Sequence, residues 1–409
     1  MIGRSRIVIV DESRRGFEWR PAFSWKDLGH AARAISRRDA AGGRGVSEEM
    51  ASIEAAIQQN IAPDALAGSV TRDRRANWWR RLGSKSRGFL YETAAGRRIE
   101  DEAALERIKS LVIPPAWREV RISPRPRSAL QAIGLDGAGR VQRIYHSSFV
   151  ARRALRKYEK IERFGAALPA LRQKTNEDIA REGLGKERVL AVVVRLINDL
   201  YFRVGSEESV KRYRTYGVTT LRNRHLEIKP GGELVFNYTG KHHVKHRRIL
   251  VDEELAALIR DIKAIGGAKL FEYIGEDGRV HAVKPRDVND YIKAAAGPEF
   301  SAKDFRTWGG TLLAAVGLAE MGCCEEERQS KRNVVAVVKR VAERLGNTPT
   351  VCRSCYIHPT VLEAYMRGRS IEEFRPRRAR RIERRQPEYT VEELALLKLL
   401  RSHKNGNGS

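Results

Sequence analysis

The chain has 409 residues, 78 of them Lys or Arg against 51 Asp or Glu, for a formal net charge of +27. An excess of that size draws in polyanions through its summed field and argues against an ordinary neutral metabolic enzyme. The longest clean apolar run, Val189 to Val194, is far short of the ~20 residues that span a bilayer. Charge also breaks up the stretch 1–16, where a signal peptide would carry its apolar segment. No membrane partner and a cytoplasmic address are expected. Four cysteines, the pair Cys323–Cys324 and Cys352 and Cys355 of CRSC, are too few for a disulfide framework. They are read as reduced thiols in preference to a zinc site, which is usually built from two spaced pairs.

In chain order, residues 1–75 read as a poorly specified extension. It holds a strand-like run, Ile7–Val10, a glycine-rich connection at 40–45, and a helix start at Ser47 with Met50, Ile53 and Ile57 on one face. Residues 76–147 read as a small β-rich domain. RGFLYE (87–92), VRIS (120–123) and ALQAIG (129–134) are its strands, Asp101 caps a helix running to Leu111, and the two prolines of IPPAW (113–117) forbid a helix there. Residues 148–366 read as mainly helical. Leu155, Tyr158, Ile161 and Phe164 recur every three residues, and a helix around Glu187–Arg203 is apolar nearly all round, as a core helix is. The period then switches to two. TTLRNRHLEI (219–228), ELVFNY (233–238) and RRILVD (247–252), separated by KPGG and TGKHHVKH, predict a three-stranded β meander. Two more helices follow, in the runs ending KDFRTWGGTLLAAVGLAEM and NVVAVVKRVAERLG. Residues 367–409 form a basic tail. It has seven arginines between Arg375 and Arg385, then a helix from Thr390 with Leu394, Leu397 and Leu400 as its apolar side. The arginine run fits a solvated segment and a phosphate-binding arm equally well. The fold class is α+β: a small β-rich N-terminal domain, then a mainly α-helical domain with a three-stranded meander.

No acidic DxD-type cluster and no glycine-rich loop ending in Gly-Lys-Ser/Thr is found, which excludes the obvious helicases, polymerases and two-metal nucleases. A phosphodiester transfer without metal needs fixed cations around the phosphorane oxygens, and arginine suits this best because its planar fork stays charged. It also needs a side-chain nucleophile. If that is tyrosine, the expelled sugar oxygen is the far stronger base, so a general acid at the leaving group matters as much as activation of the attacker. A lysine among arginines has its pKa lowered toward that task.

YFRVG (201–205), YGVTTLRNRH (216–225), TGK (239–241), KDFRTW (303–308) and GNTPTVCRSCY (346–356) follow in the order found in type IB DNA topoisomerases of the poxvirus-like and bacterial branch. IPPAW and GRVQRIY (139–145) resemble that family's N-terminal domain, so the resemblance covers roughly residues 85–365. It implies that Arg203 and Arg306 clamp the scissile phosphate and that Lys241 protonates the 5′ oxygen. It implies that Tyr356 forms a 3′-phosphotyrosyl link. Asn347 stands where many members carry histidine; both can donate to a phosphate oxygen, but asparagine cannot titrate. Arg140, Gln142, Tyr145 and Lys303 match positions that touch DNA, and Arg143 stands where relatives often have tyrosine, leaving base preference open. No cofactor and no metal are implied. The expected partner is duplex DNA, clamped by a monomer in the nucleoid.

Taken singly, each residue has an ordinary alternative: Arg203 a helix-terminal cation, Lys241 a turn lysine, Arg306 a surface arginine, Tyr356 a core tyrosine, Asn347 a helix stop. Motif order favours the functional reading. The histidines His242, His243 and His246 are read as DNA-facing or solvated and not as metal ligands. A tyrosine recombinase shares the same residue logic but usually carries histidine three residues before the second arginine, where this chain has Lys303. A basic DNA-binding protein without catalysis is the remaining alternative.

Overall fold

The computed structural model describes residues 77–375 and 389–406, with two short strands, Ile9–Val10 (β1) and Glu18–Trp19 (β2), paired antiparallel. The helix expected at Ser47 and most of the arginine run lie outside the described residues. Contacts divide the chain into two units, the first ending at Glu159 and the second running on from Lys160 and taking in β1 and β2.

The first unit is built on an antiparallel sheet. In chain order it has β3 (Trp79–Ser84), β4 (Gly88–Glu92), helix α1 (Glu102–Ser110), β5 (Arg118–Ile122), β6 (Leu130–Leu135) and β7 (Val141–Tyr145). The strands lie in the order β4-β3-β5-β6-β7. Asp101 caps α1, its carboxylate accepting the Ala104 N–H at 2.8 Å. Ile108 of α1 packs on Val120, Ile122, Ala132 and Ile144 of the sheet. The IPPAW loop has neither helix nor ladder to satisfy its carbonyls. Arg81 of β3 supplies the donors, reaching the carbonyls of Pro114 at 3.2 Å and Trp117 at 2.6 Å while lying over the Phe89 ring.

A long helix, α2 (Ser147–Ile179), leads into the second unit. There α3 (Lys186–Leu200) buries Val189 to Val194 completely, as its unbroken apolar run requires. It stops three residues short of the expected Arg203, because Tyr201 turns left-handed at φ 56° and its N–H closes on the Ile197 carbonyl. Arg203 therefore sits beyond the cap, on extended chain. After α4 (Glu207–Tyr213), the segment read as a strand from Thr219 instead makes two 3-10 turns, Val218–Thr220 and Asn223–His225. Strand β8 covers only Leu226–Lys229. With β9 (Glu233–Thr239) and β10 (Lys245–Val251) it forms an antiparallel sheet in the order β10-β9-β8, with Lys245 opposite Thr239 at the β9–β10 turn.

The remaining elements are α5 (Glu253–Ala264), the small pair β11 (Glu272–Ile274) and β12 (Val280–Ala282), α6 (Pro285–Ala296), α7 (Ala302–Met321), α8 (Glu327–Leu345), α9 (Pro349–Cys355), α10 (Pro359–Met366) and α11 (Val391–Gly406). Helix α7 runs through the middle of the core, with Phe305, Trp308, Ala314, Ala315 and Leu318 buried. No helix among the described residues is long and apolar enough to cross a membrane.

Helix α11 buries Ala395, Leu396, Leu397, Leu399 and Leu400, whereas Leu394 is 37% exposed. Leu397 and Leu400 are thus buried as expected and only Leu394 departs; the inward place beside it is held by Glu393. Its carboxylate is buried against both terminal nitrogens of Arg172, at 2.8 and 2.7 Å, and also accepts from Trp308 Nε1 at 3.3 Å and the Thr390 N–H at 3.0 Å. These bonds hold Glu393 ionised, its pKa kept below the usual value once Arg172 outweighs the cost of burial. Glu393→Ala would take from Arg172 the carboxylate that both its terminal nitrogens hold. We expect a loss on the order of 3 kcal/mol, measured by urea unfolding of the full chain. An unchanged midpoint would show that α11 does not depend on this pair.

Candidate active site

Helix α8 ends at Leu345, and Gly346 takes the left-handed cap conformation at φ 61°. A helix C-terminus leaves carbonyls without intrahelical partners. Here two arginines meet them. Arg306, on the buried face of α7, donates from Nη2 to the Leu345 carbonyl at 2.6 Å and from Nη1 to the Tyr201 carbonyl at 2.6 Å. Arg203 donates from Nη2 to the Gly346 carbonyl at 3.2 Å, and the same nitrogen makes a short bond to Asn347 Oδ1. The cap at Tyr201 thus serves both arginines: it frees its carbonyl for Arg306 and sends the chain on toward Arg203.

A guanidinium has no acceptor, so the Asn347 amide must turn its oxygen toward Arg203. Its Nδ2 then points away, buried and without a hydrogen-bond partner. Buried donors are rarely left so, and one beside two guanidiniums is suited to an anionic oxygen.

Tyr356 follows α9 directly. Thr348 caps that helix, its Oγ1 accepting the Val351 N–H at 3.3 Å, and the Tyr356 N–H closes on the Cys352 carbonyl at 2.9 Å. On α7, Thr311 donates to the Tyr356 carbonyl at 3.3 Å, and a side chain at Gly310 would come within 2.6 Å of that same oxygen. Glycine at 310 is therefore what lets the tyrosine's backbone seat on the arginine helix. The Tyr356 residue is only 6% exposed, and the Arg306 guanidinium lies 5.2 Å from its ring centroid. Burial pushes the phenol's pKa up, but the charges of Arg306, Arg203 and Lys303 outweigh it and bring it below the ordinary tyrosine value. The guanidinium of Arg306 is itself pushed down to about 10, by burial first and then by Arg203, and so remains charged at neutral pH.

Lys241 lies in the β9–β10 turn, in a short 3-10 segment, Lys241–His243, whose His242 and His243 are both left-handed at φ 62° and 59°. The residue is exposed at the tip of its hairpin. Its ammonium is nonetheless shifted down, by lost hydration first, then by Arg203, Lys303 and Arg306, against the opposing pull of Tyr356. The expected residues Arg203, Lys241, Arg306, Asn347 and Tyr356 are thus brought together, with Lys303 in the first turn of α7 acting on the same groups.

Arg140, Gln142 and Tyr145 belong to the other unit, at the β6–β7 turn and along β7. Arg140 Nε and Gln142 Nε2 both donate to Asp136, at 2.8 and 2.9 Å, while Tyr145 stacks on Phe149. Backbone N–H groups, that of Arg140 foremost, together with these side chains hold the Asp136 carboxylate at about 2.

One expectation is overturned. His246 is not a solvated histidine. It points inward from β10, stacks on Tyr238 at 5.0 Å, and lies 3.4 Å from an Arg248 nitrogen. Burial and the charge of Arg248 push its pKa down to about 3, so it is neutral. Its place in β10, next to Arg247 and two residues from buried Arg248, was the one available sequence signal. Tyr201 and the cap carbonyls had none. Among the described residues no group of three or more His, Cys, Asp or Glu is placed to hold a metal ion.

Comparison with known proteins identifies the family. The family model for the eukaryotic DNA topoisomerase I catalytic core matches residues 146–381, and that for the bacterial DNA topoisomerase IB N-terminal domain matches residues 88–136. The chain belongs to the type IB DNA topoisomerases. It is 31% identical to the DNA topoisomerase 1B of Acanthamoeba polyphaga mimivirus over 268 residues, covering 64% of this chain and 80% of the relative. The DNA topoisomerase 1B of Vaccinia virus (strain Copenhagen) is 23% identical over 269 residues, covering 64% of this chain and 82% of the viral protein.

A titration reads the Tyr356 environment directly. Followed by carbon-13 NMR at its phenolic carbon, Tyr356 should ionise below the ~10 of free tyrosine, and Arg306→Ala should move it up. A wild-type midpoint at or above the free value contradicts the electrostatics described here.

Proposed function

We propose that this chain relaxes supercoiled duplex DNA by cutting and resealing one strand through Tyr356. The observation that carries the reading is the shared cap of α8. Two guanidiniums and the Asn347 amide converge there, and the guanidiniums ease the ionisation of a buried phenol. In this reading the phosphate oxygens sit on Arg203, Arg306 and Asn347 Nδ2, where negative charge builds in the transition state. The Tyr356 oxygen attacks phosphorus, and its proton leaves to solvent. The 5′ oxygen departs with a proton from Lys241, whose lowered pKa eases the transfer. In resealing, the freed 5′ hydroxyl attacks the phosphotyrosine, neutral Lys241 takes its proton, and the Tyr356 phenolate leaves. One ester bond is exchanged for another at each step, so no nucleotide is consumed.

The β-rich unit, residues 76–147, would lie on one face of the duplex and the catalytic unit, 148–366, on the other, a monomer closing around DNA in the nucleoid. Arg140, Gln142 and Tyr145 would face the first of these surfaces, and Lys303 would meet DNA beside the cut. For Arg140 and Gln142 this means exchanging Asp136 for phosphate or base edges, so their contribution to affinity is a difference between two partners. The charge of +27 supplies most of the affinity as released counterions, making binding steeply salt-dependent.

Two experiments test this. Supercoiled plasmid incubated with the protein in EDTA, without ATP, should be relaxed, and Tyr356→Phe should abolish relaxation. Activity that survives in the variant ends the assignment of the nucleophile, and strand exchange between two sites in place of relaxation would favour a recombinase. Separately, Asn347→Ala should slow single-turnover cleavage by about a hundredfold with DNA affinity nearly intact, as loss of one transition-state donor does. Asn347→His, which keeps a donor, should recover most of the rate. A parallel loss of affinity in the alanine variant would make Asn347 a ground-state contact.

A further inference from the structure

His246 has no part in the chemistry just described, yet it touches two of the segments that perform it. A side-chain carbon placed on Gly240 would lie 2.6 Å from the His246 ring, and one placed on Gly346 would lie 2.2 Å from it. Both glycines are thus in contact with the imidazole, which also stacks on Tyr238 and lies 3.4 Å from an Arg248 nitrogen. Gly240 precedes Lys241. Gly346 precedes Asn347 and accepts from Arg203. One ring therefore fills the gap between the turn that presents the proton donor and the cap that presents the phosphate donors.

We infer that His246 is a positioning residue, a strut that sets the Lys241 turn against the α8 cap so that acid and phosphate donors meet one scissile group. Three observations support it. The Lys241 turn needs an external support, because His242 and His243 hold left-handed conformations that cost non-glycine residues energy. The Gly240 N–H closes the turn on the Val244 carbonyl at 2.8 Å, a bond within the hairpin that does not tie Lys241 to the α8 cap. The low pKa of His246 keeps the ring neutral, so it adds no charge to a site already crowded with cations. Gly240 and Gly346 also admit no larger side chain without displacing the ring.

The inference rests on the reading of Lys241 as the general acid, and the test separates the two. Single-turnover cleavage is measured with a normal DNA strand and with one whose bridging 5′ oxygen is replaced by sulfur. A thiolate leaves without a proton, since its conjugate acid has a pKa near ~8.5, so this strand bypasses the acid. Wild type should cleave both, and Lys241→Ala should be slow on oxygen and restored on sulfur. If these controls fail, the acid reading falls, independently of His246. With the controls in place, His246→Ala should slow cleavage of the oxygen strand by about tenfold to a hundredfold, the cost of displacing a catalytic group by roughly 1 Å. Most of that loss should return on sulfur. His246→Phe, which keeps a flat ring and the stack on Tyr238, should stay close to wild type on both strands. DNA affinity and the thermal midpoint of His246→Phe provide the folding control. A deficit of His246→Ala that persists undiminished on sulfur overturns the inference, because the ring would then not be acting through Lys241. So would a phenylalanine variant, folded and DNA-binding, that is as slow as alanine, since the strut would then not be the ring's shape.

Discussion

Everything in the catalytic unit is organised around the carbonyl end of one helix. The last carbonyls of α8 must find donors or be left buried and unpaired. Arg306 reaches Leu345 from α7, and Arg203 reaches Gly346 and Asn347 from the chain beyond α3. Two guanidiniums in such proximity repel each other, and Arg203 is indeed the strongest charge acting against Arg306. The negative end of the helix dipole and the carbonyl acceptors offset that repulsion. The cost of assembling two cations is thus met by backbone, leaving their remaining donors for an anion. Tyr356 is fastened to the same scaffold through Gly310 and Thr311, five residues or fewer along α7 from Arg306.

How much of this the amino-acid sequence discloses varies with the range of the cause. Helix α3 could be read from Val189 to Val194, because an all-apolar helix has one physical explanation, burial. Asp101 could be read as a cap because capping is settled within four residues. The end of α3 could not. Tyr201 carries no local preference for a left-handed cap, and it adopts one because its carbonyl and ring are wanted elsewhere, the carbonyl by Arg306 and the ring against Gly309. Thr219 and Thr220 misled for a related reason. β-branched residues suggest a strand, but Thr220 Oγ1 accepts the Gly217 N–H at 2.9 Å, and this local bond competes with a ladder.

The site followed the same rule. Arg203, Lys241, Arg306 and Tyr356 were legible because their motifs occur in a family's order, and the structure gathers them. The role of Asn347 became specific only with its amide orientation, which no sequence shows. His246 was misread because alternation along β10 does not reveal that two glycines from distant turns close upon it. What was missing in each case was a contact between segments far apart in the chain.

Such distant contacts also impose an order of assembly. Arg172 and Glu393 are separated by 221 residues, and the pair bears on Trp308, two positions from Arg306. During synthesis Tyr356 is in the chain before residue 393 exists. Helix α7 then lacks the buried anion that its tryptophan and Arg172 await. The Glu393 closure ties the helix that carries Arg306 to a segment 85 residues beyond Trp308, so the burial of that tryptophan is completed only once that segment is in place.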